Sequence, residues 1–85
     1  MRDKHEQLEV LRTLVSHLSS RERQVFDRVV RGKMNKEIAR ELGATERTIK
    51  AHRHHVMEKV QAKSLAELVM IAERLRILAG EDRPT

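Results

Sequence analysis

The sequence has no cysteine, tryptophan or tyrosine, a single phenylalanine (Phe26) and a single proline (Pro84). Without cysteine there is no disulfide staple and no thiolate-based zinc site. With one aromatic, the core of an 85-residue chain has to be built from Leu, Val, Ile, Ala and Met. A domain this small buries only about 60% of its unfolded surface, so its stability is modest. Proline reaches the chain only near its end, so no helix is interrupted from within. No apolar run approaches the roughly 20 residues of a membrane span. The opening "MRDKHEQLEV" is too charged for a secretory signal. These absences together point to a soluble, cytoplasmic protein. Catalytic features are missing as well. Serines 16, 19, 20 and 64 fall at or beside expected helix starts, where capping accounts for them. No nucleophile is paired with a base and no glycine-rich phosphate loop is present, so neither an enzyme nor a cofactor is expected.

What the sequence does have is placed charge. Residues 28–63 carry ten Lys/Arg and four acids, net +6, while the remainder carries eight basic and nine acidic side chains, net −1. A basic middle segment suits a polyanionic partner, although a solvated helical surface also carries such charges. Apolar residues recur at helical spacing throughout, and strand-like alternation is absent. Leu8, Leu11, Val15 and Leu18 make one stripe over 4–17. Ser19 and Glu22 form a capping box ahead of Val25, Phe26, Val29 and Val30, and Gly32 stops that helix. Asn35 is placed to cap a short helix with Ile38, Ala39 and Leu42 inside and Gly43 at its end. Thr45 caps a longer one, and Ser64 with Glu67 opens the last. The acidic and basic residues Glu22, Arg23, Asp27, Arg28, Glu37, Arg40 and Glu41 read as solvated pairs of small individual value.

The segment "NKEIARELG-AT-ERTIKAHRHHVMEKV" is thus a short helix, a tight glycine turn and a longer basic helix, the spacing of a helix-turn-helix. At about 100° per residue, Val56 and Val60 return to within roughly 20° of Ile49, and Met57 lies nearby. These four define a buried flank. Lys50, Ala51 and His54 point the other way. Lys50 can donate to guanine or phosphate, Ala51 permits close approach and contact with a thymine methyl, and His54 can donate to a base acceptor. Thr45, Arg47 and Thr48, beside the exposed N–H groups of the helix start, suit phosphate. His52 is expected half-buried near the turn, within reach of phosphate. His52 and His55 are three apart, but no acid or cysteine on that helix face completes a ligand set, so no metal is expected.

The stretch "LSSRERQVFDRVVRGKMNKEIARELGATERTIKAHRHHVMEKVQAKSLAELV" resembles the LuxR-type helix-turn-helix, in the FixJ/NarL class of response-regulator output domains. The similarity runs from 18 to about 75 and departs from the family pattern at Ser20, where proline is common. It implies an all-α, four-helix domain (about 20–31, 35–42, 46–60 and 64–77) within 18–79. A linker helix (about 4–17) precedes it, in residues 1–17, and a disordered tail (80–85) follows. The resemblance further implies sequence-specific binding of double-stranded DNA for transcription regulation. Base contacts fall on Lys50, Ala51 and His54, and phosphate contacts on Asn35, Lys36, Thr45, Arg47, Thr48, Arg53, His55 and Lys59. The last helix is implied to form a homodimer on paired half-sites, with RNA polymerase a further contact; the outward side chains of that helix, Ala66, Met70, Ile71, Arg74 and Ile77, are the expected dimer surface. A receiver domain is absent, so the chain reads as the C-terminal part of a two-component regulator; Met1 alternatively suits a stand-alone domain.

Two other functions share some of these features. Region four of a sigma factor has a similar "REREV…EIA…LG…T" pattern and would need RNA polymerase, but the apolar, weakly charged last helix points away from it. A protein-interaction module would meet an acidic partner with the same basic face. Leu65, Leu68, Val69, Ala72 and Leu75 form one face of the last helix and are expected in the core. Its other apolar residues either meet a second copy or pack against the 4–17 helix, two arrangements that are compatible.

Overall fold

The computed structural model describes residues 4–78. The described residues form helices only: α1 (Lys4–Ser16), α2 (Ser20–Val30), α3 (Asn35–Leu42), α4 (Glu46–Val60) and α5 (Leu65–Arg74). None is long and apolar enough to cross a membrane. α4 is central and packs against α1, α2 and α3, while α5 lies on α2. Phe26, Ile38, Ile49, Val56, Val60 and Leu68 are the buried heart of the core, and Val15 of α1 belongs to the same cluster. Leu8 and Leu11 pack against it from the side. The main packing of α1 is therefore on α4.

The helix starts follow from local chemistry. Ser19 Oγ accepts from Glu22 N at 3.1 Å and Glu22 Oε1 accepts from Ser19 N at 2.9 Å, the reciprocal capping box the spacing predicts. Ser64 Oγ likewise accepts from Glu67 N at 3.1 Å, but the Glu67 carboxylate turns back to Lys63 N rather than to Ser64. Asn35 does not cap α3. The N-cap is Met34, whose N–H donates to Glu37 Oε1 at 2.9 Å, and Asn35 is the first helical residue. This frees the Asn35 amide for a partner on α4.

Four helices end by one device: a residue with left-handed backbone, followed by an N–H that reaches back five residues. After α2 the residue is Gly32 (φ 87°), with Lys33 N donating to Arg28 O at 3.1 Å. After α3 it is Gly43 (φ 66°), with Ala44 N to Ala39 O at 2.9 Å. Gln61 (φ 60°) and Arg76 (φ 62°) end α4 and α5 in the same way, through Ala62 N to Met57 O at 3.0 Å and Ile77 N to Ala72 O at 2.9 Å. Glycine enters this region without a Cβ penalty, whereas Gln61 and Arg76 do not.

The last reversal corrects two expectations. α5 stops at Arg74 instead of reaching 77, and the turn at Arg76 swings Ile77 into the core at 0% exposure. Ile77 therefore belongs to the interior and not to a dimer surface. Arg31 secures the reversal by donating to Ile77 O at 3.3 Å while also holding Asp27 at 3.2 Å. Leu65, expected inside, is 48% exposed and borders an open cleft beside Asn35 and Arg53. The expected tail at 80–85 lies outside the described residues.

Candidate nucleic-acid interface

α3 and α4 meet through the three-residue corner Gly43-Ala44-Thr45. Arg21 of α2 donates to Leu42 O at 3.2 Å, so the C-terminal end of α3 is held by a neighbouring helix. Thr45 then begins α4: its Oγ1 accepts from Thr48 N at 3.1 Å and lies 3.0 Å from Thr48 Oγ1. This satisfies one amide of the first turn and leaves the others free to receive an anion.

The two flanks of α4 differ completely. Ile49, Val56 and Val60 are at 0–1% exposure. Lys50, Ala51, His54 and Glu58 are all exposed on the other side. The three expected base-reading side chains therefore share one uncovered face. His54 Nε2 lies 3.3 Å from Glu58 Oε1 one turn on, and its side chain remains 72% exposed.

The expected phosphate residues fall into three groups. Thr45, Arg47 and Thr48 are exposed at the helix start. Asn35, Lys36 and Arg53 line an open cleft together with Lys33 and Glu46. There, Arg53 Nη1 donates to Asn35 Oδ1 at 2.7 Å, locking the start of α3 to the middle of α4. His55 and Lys59 lie on the opposite flank, against α2. Both face Glu22: Lys59 Nζ donates to its Oε1 at 2.6 Å, and His55 Nδ1 lies 3.7 Å from its Oε2. The Lys59 ammonium thus already has an internal partner.

Glu22 is the residue that the sequence reading undervalued. It is no solvated surface acid but is 6% exposed, and is the one polar residue in the buried set among the described residues. Its carboxyl is held below the usual range chiefly by the hydrogen bond from Lys59, then by the backbone N–H of Ser19, against the opposing effect of burial. The signal was available: Glu22 precedes Val25 and Phe26 by three and four residues, which puts it on the buried stripe of α2. The expectation for His52 and His55 concerned acids on their own helix face, and the acid that reaches them is on α2. Glu22 comes to them from another helix, a meeting invisible when spacing is read along α4 alone.

On the surface of α5, Ala66, Met70 and Arg74 are exposed, Met70 at 52%. Ile71 is half-buried and packs against the core.

Residues 16–72 match the family profile of bacterial regulatory proteins, luxR family. Nodulation protein W of Bradyrhizobium diazoefficiens is 45% identical over 75 residues, covering 88% of this chain and 33% of that protein. The transcriptional regulatory protein FixJ of the same organism is 50% identical over 64 residues, covering 75% and 31%. Response regulator protein TodT of Pseudomonas putida is 48% identical over 59 residues, covering 69% and 26%. The chain thus spans about a third or less of the length of these relatives. Among solved structures, response regulator StyR superimposes with a TM-score of 0.79 at 47% identity, covering 82% of this chain and 35% of that one. Full-length FixJ from B. japonicum gives 0.76 at 43% identity, covering 87% and 38%.

Proposed function

The chain belongs to the luxR family of bacterial regulatory proteins, and from that premise we propose that it binds double-stranded DNA sequence-specifically, as the output domain of a two-component response regulator that controls transcription. The observation that carries this reading is the division of α4: Ile49, Val56 and Val60 anchor one flank in the core while Lys50, Ala51 and His54 stand exposed together on the other. A helix held this way can enter a major groove without uncovering apolar surface. The relatives named as response regulators and as a transcriptional regulatory protein support the same reading.

In this proposal Lys50 and His54 donate to base edges and Ala51 packs on a thymine methyl. Thr45, Arg47 and Thr48 bind one phosphate run at the N-terminus of α4, and Asn35, Lys36 and Arg53 bind a second beside it. His55 borders the groove on the third side, and Lys59 reaches phosphate only by sharing its ammonium with Glu22. One module buries too little surface for strong specificity, so paired half-sites are required. We assign the dimer contact to Ala66, Met70, Ile71 and Arg74. An upstream receiver domain, a contact with RNA polymerase and a cytoplasmic location belong to the same proposal. Selection from a randomised duplex pool, read out by gel shift, tests it: enrichment of a repeated half-site supports the reading, and retention of no motif above the starting pool defeats it.

A further inference from the structure

Glu22 of α2 and His52 and His55 of α4 each offer one ligand atom, and the three atoms all lie within 4.8 Å of one another. The arrangement is partly pre-built. Glu22 Oε1 is occupied by Ser19 N and Lys59 Nζ, at 2.9 and 2.6 Å. Oε2 is the oxygen turned toward His55, whose Nδ1 lies 3.7 Å away. His52 is held beside them with a buried Nδ1 that has no hydrogen-bond partner. A buried polar nitrogen left unpaired is costly, and a native structure that keeps one calls for an explanation.

We propose that Glu22, His52 and His55 form a binding site for a divalent first-row transition metal of the zinc class. Two imidazoles with one carboxylate suit zinc, cobalt or nickel, whereas magnesium and calcium prefer oxygen ligands throughout. His52 and His55, three residues apart, present both imidazoles from one side of α4. Glu22 closes the set from the facing helix, and a water fills the fourth position of a tetrahedral site. The three atoms must draw in to bond at about 2.0–2.2 Å, and the half-exposed His55 ring supplies that movement. The Lys59 ammonium next to Oε1 opposes a second cation and keeps the affinity below that of a closed structural site. It also fixes the carboxylate in place, as partners of ligating carboxylates do. The bound ion joins the first turn of α2 to the middle of α4 and thereby stiffens the helix that carries Lys50, Ala51 and His54.

The test is titration of the untagged 85-residue chain with zinc chloride by calorimetry, and with cobalt chloride by visible absorption. Expected are one equivalent of zinc, a rise in melting temperature with zinc, the d–d bands of tetrahedral cobalt, and no competition from magnesium chloride. His55→Ala, a change at a half-exposed position that leaves the core intact, should weaken zinc binding by at least about tenfold and abolish the tetrahedral cobalt spectrum. His52→Ala should do the same, and His5→Ala, on α1, should do neither. Equal zinc affinity of the parent and His55→Ala chains, or a cobalt spectrum that stays octahedral, overturns the proposal. Both readouts are made without DNA, so they stand or fall separately from the proposed DNA binding.

Discussion

Lys59 and Glu22 are 37 residues apart in sequence, yet the Lys59 ammonium donates to Glu22 Oε1 at 2.6 Å and ties the last turn of α4 to the first turn of α2. The Glu22 side chain is 8% exposed and that of Lys59 40%, so the pair is shielded on one side and wet on the other. Its contribution therefore falls between that of a surface pair and that of a fully buried one.

Glu22→Gln should destabilise the domain by about 1–3 kcal/mol at pH 7, the cost of losing a charge-assisted partner in a buried setting. The sign of the pH dependence follows from the lowered carboxyl pKa of Glu22. Its stabilisation is complete above the ordinary value of 4.5, declines as pH falls below that value, and is gone once pH passes below the folded-state pKa. Glu41, paired with Lys33 and Arg28, shifts in the same direction, so only the difference between parent and variant isolates Glu22. Urea midpoints at pH 7 and pH 3 should converge at the lower pH. A gap that stays constant would mean that the carboxylate charge plays no part.

Gln61→Gly should stabilise the domain by about 0.5–1 kcal/mol by relieving the left-handed backbone at the end of α4. Gly43→Ala should cost about 1 kcal/mol in the opposite direction. At Gly43 a Cβ would meet nothing within 4 Å, so that loss would come from φ alone. Thermal melts of the two variants should move to opposite sides of the parent.

Lys50→Ala and His54→Ala should lower affinity for the cognate duplex by about 1–3 kcal/mol each and flatten base preference at the contacted position. Arg47→Ala should weaken cognate and random duplexes alike and reduce the slope of log K against log salt by about 1. Titrations on both duplexes at several salt concentrations separate the two behaviours. Parallel losses from all three substitutions would remove the distinction between base-reading and phosphate-binding side chains.

Met70→Glu and Ile77→Ala should fail differently, although both positions were expected at the same dimer surface. Met70 is 52% exposed, so Met70→Glu should leave the melt nearly unchanged but abolish cooperative occupancy of paired half-sites. Ile77 is fully enclosed, so Ile77→Ala should cost about 2–5 kcal/mol of stability. Folding measured by circular dichroism, with half-site binding by gel shift, distinguishes them.

The helix-turn-helix was legible because its signals are local. Gly43, Thr45 and the recurrence of Ile49, Val56 and Val60 each act within a few residues, and α3 and α4 run over the expected 35–42 and 46–60. What escaped depends on meetings across helices. Asn35 looked like a cap because capping is read from its own helix, yet its amide serves Arg53 eighteen residues away. Glu22 looked half like a cap and half like a surface charge until Lys59 and His55 arrived from α4. Ile77 was misplaced because a wheel assumes that the helix continues. Nothing in the sequence marks Arg76 as a left-handed residue, since glycine is the usual sign of that conformation.

Ile77 also bears on how the chain reaches its folded state. It is among the last of the described residues, and it fills the same interior as Val15 near the beginning. During synthesis the corners at Gly32, Gly43 and Gln61 can close as soon as they emerge, because each needs only its immediate neighbours. The interior lacks one of its fully enclosed side chains until Ile77 has been added, so a chain ending before that point should be less stable than one that includes it.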